Sequence, residues 1–575
     1  MMRFKFVFAF LLSNLLATVW FISANSQSAP EPRPTPLPEL VKQAEDKMAA
    51  QEWTAASSIW EQVVAANPTM PRYWDQLGRS LQFAKDYRKA IAALEMSLEL
   101  GAGYPFNTAY NIACSYGKLG EKDQALKWLE KAMDMGYRNL QVVRIDTDLK
   151  LLRDDPRFIK LAALDDVGKM SRDEGWRYDL WFLARELKRI HFNPFKNIAK
   201  DEFESYVKKL NDDIPKLTDP QIEIGLMKLA RRMGDGHTLI RPASIQLSER
   251  MLADRGVADR RVAPIELYLF TEGLFITAAA PKYADIVGAQ VKLLGDHTVE
   301  KVMETLDQVI SQDNKMWPKN VAPAMMRNPR MLYGLGLIPE PDKMAITIRD
   351  GEGKPRTVMF AAEQVDSTDD WPTARQGAAA AEPLYLKNRK ANYWFEYLPD
   401  SKTVYFQYNA VVQDQKETLP EFCERMFKFI NENPVERLVI DMRWNGGGNN
   451  FYNRPIVHGL IRNDKIDRFG KLFVIVGRQT YSAAMCGATE IERHTRAIFV
   501  GEPTGSSPNF VGESIAINLP YSKMSGTISD LYWQNSVAMD YRVWISPQLY
   551  APPSFELYRA NRDPAMEAIM AYPRE

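Results

Sequence analysis

Residues 435–450 read Val-Glu-Arg-Leu-Val-Ile-Asp-Met-Arg-Trp-Asn-Gly-Gly-Gly-Asn-Asn, an apolar run that ends directly on three glycines. A continuous Val/Ile/Leu run marks a strand buried on both faces, as in a parallel sheet. Around it, short apolar runs alternate with helical stretches: TVYFQYNAVV at 403–412, a helix near Leu419–Asn431, RLVID at 437–441, a helix near Phe451–Ile461, FVIVG at 473–477, a helix from Ala483, and AIFVG at 497–501. That order is βαβαβ, and ligands of such sheets bind beyond the carboxyl ends of the strands. Two features fall there. The triplet Gly446-Gly447-Gly448 lets the backbone turn its N–H groups inward around an oxygen carrying negative charge, although a flexible hairpin uses the same residues. It lacks the GxxxxGK[ST] pattern of a phosphate loop. The second feature is Arg478-Gln479-Thr480-Tyr481-Ser482-Ala483-Ala484-Met485, with Ser482 between a strand and a helix. A serine there is an N-cap by default, yet the same place exposes its hydroxyl beside free N–H groups and the positive end of a helix dipole.

A serine hydroxyl is a poor nucleophile without a base. The chain has five histidines: His191, His237, His297, His458 and His494. His237 is the best placed, in the turn Gly234-Asp235-Gly236-His237-Thr238, where glycines permit close approach to another segment. His458 and His494 fall in helical stretches, and His191 and His297 have no glycine-rich context. A metal site is not expected: there is no HExxH, and Glu490, Glu492 and His494 are expected to alternate onto different helix faces. Cys114, Cys423 and Cys486 are odd in number and far apart, which defines no disulfide framework. An α/β-hydrolase esterase would need a GxSxG elbow and its histidine after the serine, and neither is present.

Taken together, GDGHT at 234–238, VIDMRWNGGGNN at 439–450 and VIVGRQTYSAAMCGATEIERHTRAIFVGEPTG at 474–505 resemble the S41 serine peptidases over about Trp176–Arg574. The resemblance implies a ClpP/crotonase-like core with Ser482 as nucleophile. Ala483 and a glycine of the triplet, Gly446 or Gly447, match the oxyanion-hole donors. The processing-protease branch pairs its serine with a lysine some 25 residues on, but Gly501–Asn509 here contains none. The tricorn-like branch uses a histidine, which His237 matches. That branch has a serine before its histidine, where this chain has Gly236, and an orienting glutamate, for which Asp540 is the nearest acid in the late segment. The implied activity is hydrolysis of a peptide bond through an acyl-enzyme, with no cofactor and no metal. The alternative is a non-catalytic scaffold that binds proteins, peptides or small ligands.

The rest of the chain supplies context. Arg3 and Lys5 precede the apolar run Phe6–Ala24, which reads as an export signal over 1–26 or as an uncleaved membrane anchor, followed by a proline-rich linker at 27–38. From 39 to 140, residues recur with a period of 34 to 35: Ala56, Ala90 and Ala125 align, as do Trp60, Leu94 and Leu129. These units resemble tetratricopeptide repeats, which present a concave face to a protein or peptide, although a packing spacer is also compatible. A connector at 141–170 leads to a helical part at 171–250. A β-rich stretch at 258–365 loosely resembles a PDZ domain, a linker spans 366–390, and 391–575 is the peptidase core. The expected fold is thus multidomain: an all-α tetratricopeptide-repeat array, then an α/β ClpP/crotonase-like core with a helical subdomain and a small PDZ-like insert. Seventy-three basic residues balance 73 acidic ones, so global charge favours no nucleic-acid partner. The expected partners are a protein or peptide substrate and a protein on the repeats. The expected location is the periplasm or the extracellular space, with a membrane involved only through an anchor.

Overall fold

The computed structural model describes residues 35–163, 166–242, 261–349, 353–375 and 382–573. The export signal and most of the proline-rich linker lie outside the described residues, as do parts of the stretches 171–250, 258–365 and 366–390. The chain divides into two compact units, Met1–Ala132 with Thr147–Leu152, and Met133–Asp146 with Arg153–Glu575. No helix among the described residues is long and apolar enough to cross a membrane.

The first unit is an array of helices in pairs: α1 (Leu37–Ala49), α2 (Trp53–Ala66), α3 (Pro71–Phe83), α4 (Tyr87–Glu99), α5 (Pro105–Leu119) and α6 (Lys122–Asp134). Proline opens α3 and α5, where a missing N–H costs nothing, and Gly120 ends α5 in the left-handed region at φ 80°. The residues that recur in the sequence are those with no exposed surface: Ala56, Ala90 and Ala125 face neighbouring helices with Trp60, Leu94 and Leu129. Gly78 explains the small residue in α3, because a Cβ there would lie 2.7 Å from Leu94 Cδ2.

The second unit begins its larger part with helices Arg172–Ile190, Lys200–Asp213 and Asp219–Arg231. Capping boxes start two of them, Ser171 with Glu174 and Thr218 with Gln221. Strands Ile265–Phe270, Gly273–Ala279, Gln290–Leu294, Lys343–Arg349 and Pro355–Ala361 then form an antiparallel sheet. The stretch 258–365 contains this sheet with its own helices Val299–Leu306 and Met316–Met325 against it, and its apolar interior is continuous with that of the earlier helices. Its Ile265, Val291 and Ile346 bury with Trp176, Leu180 and Ile222 of the helices in one apolar cluster.

The sheet with the glycine triplet and Ser482 beyond its strand ends has six strands in chain order: β1 (Tyr393–Leu398), β2 (Thr403–Tyr408), β3 (Arg437–Asp441), β4 (Leu472–Val476), β5 (Ile498–Gly501) and β6 (Leu549–Tyr550). β1 is antiparallel to β2, and every later pair is parallel. Alternate residues go to opposite faces. Val404, Phe406, Leu438, Ile440, Leu472 and Val474 pack against Phe422, Met426, Leu460 and Ala484 of the crossover helices. Tyr405, Val439, Phe473, Ile475 and Val500 pack on the other face against Ala565 and Ile569 of helix Pro564–Ala571. Both faces are therefore dry, which is why β3 and β4 read as unbroken apolar runs. Each fully buried Val, Leu or Ile contributes roughly 1.5–3 kcal/mol.

Candidate active site

Beyond the carboxyl ends of β3 and β4, Asn445 ties the two predicted features together. Its side-chain amide donates to Tyr408 O at 3.0 Å, its Oδ1 accepts Gly447 N–H at 3.0 Å, and its backbone oxygen accepts Tyr481 N–H at 3.1 Å. Thr480 adds a second tie, with its hydroxyl donating to Met442 O at 2.9 Å and accepting Gly477 N–H at 3.1 Å. Asn453 adds a third, donating to Ala483 O at 2.8 Å. Neither Asn445 nor Thr480 stands out in the sequence, because their role depends on residues up to 38 positions away.

Pinned in this way, Ser482 adopts φ 54° and ψ −127° and caps the helix Ala483–His494 without a side-chain cap hydrogen bond. That backbone region is costly for any residue with a Cβ, by about 1–3 kcal/mol. The default N-cap role is therefore not the one seen. Gly447, at φ 104°, presses on the turn: a Cβ at this position would lie 2.7 Å from Ser482 Cβ and 2.9 Å from Ala483 N. The glycine triplet and the serine turn thus meet. The Gly447 N–H, however, is taken by Asn445, and Gly446 is exposed. Among the described residues, no hydrogen bond engages the N–H of Ala483, Gly446 or Gly448. Val411 accepts Asn449 N–H at 2.8 Å and donates to Gly447 O at 2.9 Å, which holds the intervening Gly448 at a positive φ of 141° that glycine allows.

His237 reaches the same place from the other side of the chain. The Asp235 carboxylate organises its turn, with Oδ1 accepting His237 N–H at 2.8 Å, Thr238 N–H at 2.7 Å and the Ser529 hydroxyl at 2.8 Å. Oδ2 accepts from His191 Nε2 at 2.9 Å. His191 Nδ1 accepts Asn193 N–H at 3.1 Å, which puts the ring proton on Nε2. Burial opposes the charge of Asp235, but His191 and the other donors outweigh it and hold the carboxyl below its ordinary range. Strand Leu239–Arg241 then pairs with Ser525–Gln534 of a long hairpin, whose other strand, Asn509–Asn518, supplies Phe510. The His237 ring stacks on Phe510 with centroids 5.4 Å apart and on Tyr481 at 4.6 Å.

His237 therefore lies against the residue that precedes Ser482, but the two predicted side chains make no hydrogen bond. Nδ1 faces the Tyr481 hydroxyl at 3.1 Å, and the buried Nε2 has no partner. Burial pushes the imidazole down to about 4, against a smaller upward pull from Asp235, so the ring is neutral at pH 7. A half-buried acid, Asp313, lies close by. It accepts Gly236 N–H at 2.8 Å and the Ser506 hydroxyl at 2.5 Å, and burial pushes it up to about 7.

Asp540 is not brought to His237. Its carboxylate accepts from Arg542 at 2.8 and 2.9 Å, Arg542 in turn grips Glu492, and this pairing holds Asp540 well below the usual carboxylate range. The nearest acid of the late segment is thus not the orienter, because an arginine two residues away takes it. Glu490 and His494 also depart from expectation. One helical turn apart, they share a face and lie 3.2 Å from each other, while Glu492 pairs elsewhere.

Comparison with known proteins matches the tetratricopeptide repeat family to residues 107–135. A chloroplastic protein of Arabidopsis thaliana is 34% identical over 86 residues, which are 14% of this chain and only 26% of that protein's length. Among solved structures, mature CPAF complexed with lactacystin aligns over 69% of this chain and 97% of its own, at 11% identity and a TM-score of 0.48. The photosystem II D1 C-terminal processing protease aligns over 70% of this chain and 97% of its own, at 13% identity and a TM-score of 0.34. The chain thus carries a tetratricopeptide repeat at 107–135 within an array of paired helices, followed by a mixed α/β region similar to these two solved structures.

Proposed function

We propose that the second unit is a serine peptidase in which Ser482 attacks a peptide carbonyl, His237 takes its proton, and backbone N–H groups hold the tetrahedral oxyanion. The observation that carries this reading is the strained Ser482 turn. A merely structural N-cap has no need of φ 54° and ψ −127°, nor of a glycine at 447, where a Cβ would fall 2.7 Å from Ser482 Cβ. The Ala483 N–H, in the first helical turn, is one oxyanion donor. With Gly447 N–H engaged by Asn445, the second donor in this reading is Gly448, or Gly446 at the open rim.

The chemistry follows from these groups. Ser482 Oγ bonds to the carbonyl carbon while its proton passes to His237 Nε2. The same proton then leaves with the amine, and water repeats the cycle to free the acid. A positioned base supplies about 10²–10⁴-fold, and each oxyanion donor is worth about 2.7–4 kcal/mol. The substrate is a protein or peptide. The repeat array is proposed to hold a protein partner, and the N-terminal apolar run is proposed to export the chain. Cell fractionation of the full-length protein tests export.

A second reading, a non-catalytic binding scaffold, is favoured by one observation: the imidazole bonds to Tyr481 and not to Ser482. Labelling with a fluorophosphonate separates the two. The wild type is expected to label on Ser482, His237→Ala at least about 100-fold more slowly, and Ser482→Ala not at all. Equal labelling of all three, or of none, replaces the peptidase with the scaffold.

A further inference from the structure

Tyr481 is buried, and three independent contacts fix where its hydroxyl lies. Its ring stacks on Trp317 at 4.1 Å and 18° and on His237 at 4.6 Å and 21°. Its Oη stands 3.1 Å from His237 Nδ1. It also occupies the space that a side chain at 236 would need, since a Cβ on Gly236 would fall inside the contact distance of that oxygen. The slot therefore exists because residue 236 is glycine. Among the described residues no carboxylate bonds to the His237 ring: Asp235 binds the turn's backbone, Asp313 binds Gly236 N–H, and Asp540 binds Arg542.

We propose that Tyr481 is the positioning residue of the Ser482–His237 pair, its hydroxyl fixing the ring's orientation and coupling the place of the ring proton to the direction of the Nδ1–Oη hydrogen bond. This rests on the reading of Ser482 as nucleophile. A phenol can accept or donate, unlike a carboxylate, which only accepts when ionised. When Nδ1–H donates to Oη, the Nε2 lone pair is free. The Ser482 O–H bond then breaks, an Nε2–H bond forms, and Nδ1–H stays on Oη. When Oη–H donates to Nδ1, the ring proton is on Nε2, and the base is idle. One hydroxyl thus separates a working tautomer from a resting one, and it brings no charge to the buried ring.

The test uses Tyr481→Phe, which keeps the stack and removes the oxygen, and Gly236→Ala, which keeps the oxygen and displaces it. Two measurements are made on the full chain: saturation kinetics of fluorophosphonate labelling, and ¹⁵N resonances of the histidine ring, with His237→Ala to assign them. The expected result is a fall of about tenfold or more in the limiting labelling rate of both variants, with unchanged half-saturation. The His237 Nδ1 resonance is expected to shift in Tyr481→Phe, because its hydrogen bond to Oη is lost. Wild-type limiting rate and unchanged ring resonances in Tyr481→Phe would overturn the assignment. If the wild type itself fails to label, the peptidase reading falls, while the ring resonances still report on whether Tyr481 bonds to Nδ1.

Discussion

Two groups beside the candidate active site, the buried His237 and the half-buried Asp313, titrate in opposite senses, and this pairing gives a prediction about acid stability. Burial pushes His237 from its ordinary 6.5 down to about 4. The unfolded chain therefore takes a proton near 6.5 that the folded protein refuses until about 4, and stability is lost as pH falls through that window. The window is about 2.5 pH units wide, at about 1.36 kcal/mol per unit, so His237 accounts for about 3 kcal/mol. Asp313 works the other way. Burial raises it from 3.8 to about 7, so the folded protein keeps a proton that the unfolded chain releases. Its contribution is present below 3.8 and is lost as pH rises to about 7, for a total of about 4 kcal/mol.

Between pH 4 and 6.5 the two slopes nearly cancel, and the wild type should draw little net pH dependence from this pair. Asp313→Asn should uncover the histidine, losing about 3 kcal/mol relative to wild type on acidification across that window. His237→Gln should uncover the acid, with stability falling as pH rises. The double variant should again be nearly flat. Hydrogen exchange in urea, read on peptides of the helix Ala483–His494, reports on this unit separately from the repeat array. An Asp313→Asn protein with the wild-type slope would refute the reasoning, since it would mean that Asp313 is already ionised across pH 4 to 6.5 in the folded state.

Two further substitutions probe the frame. Gly447→Ala puts a Cβ 2.7 Å from that of Ser482 at φ 104°, so it should cost about 2 kcal/mol or more and slow labelling of Ser482, as urea unfolding and labelling rates would show. Asp235→Ala strips the acceptor from two buried N–H groups, the Ser529 hydroxyl and His191, so a loss of about 3 kcal/mol or more is expected in the same urea titration.

Much of the frame was legible because its signals are local. The runs at 437–441 and 473–477 became β3 and the body of β4, for a strand dry on both faces has no polar alternation to show. The 34- to 35-residue recurrence marked buried contact positions, because helix pairs of that length repeat the same packing. What sequence reasoning missed depends on distant pairs. Tyr481 meets His237 across 244 positions, and Asp313 meets Ser506 across 193. Neither residue has a local pattern that betrays its partner. Asp540 was expected as the nearest acid of the late segment, a choice that carries no spatial information, and Arg542 pairs with it instead. Reading Glu490, Glu492 and His494 as alternating applied a strand's period to a helix, where residues four apart share a face. The β-rich insert looked separable because its own strands are complete, whereas its apolar interior runs on into that of the earlier helices, in one cluster with Trp176, Leu180 and Ile222.

The strained serine turn also shows where the stability of this site comes from. A residue at φ 54° and ψ −127° stores about 1–3 kcal/mol that its own segment cannot offset. The offset comes from β2, β3 and the helix start together: Asn445 to Tyr481, Gly447 and Tyr408, Thr480 to Met442 and Gly477, and Asn453 to Ala483. Each neutral hydrogen bond is worth about 1 kcal/mol, and an orphaned buried partner costs more, so these six ties exceed the strain only if most are made at once. The turn should therefore form late, when the sheet is already closed. Local loosening of β3 should release Ser482 before it unfolds the core.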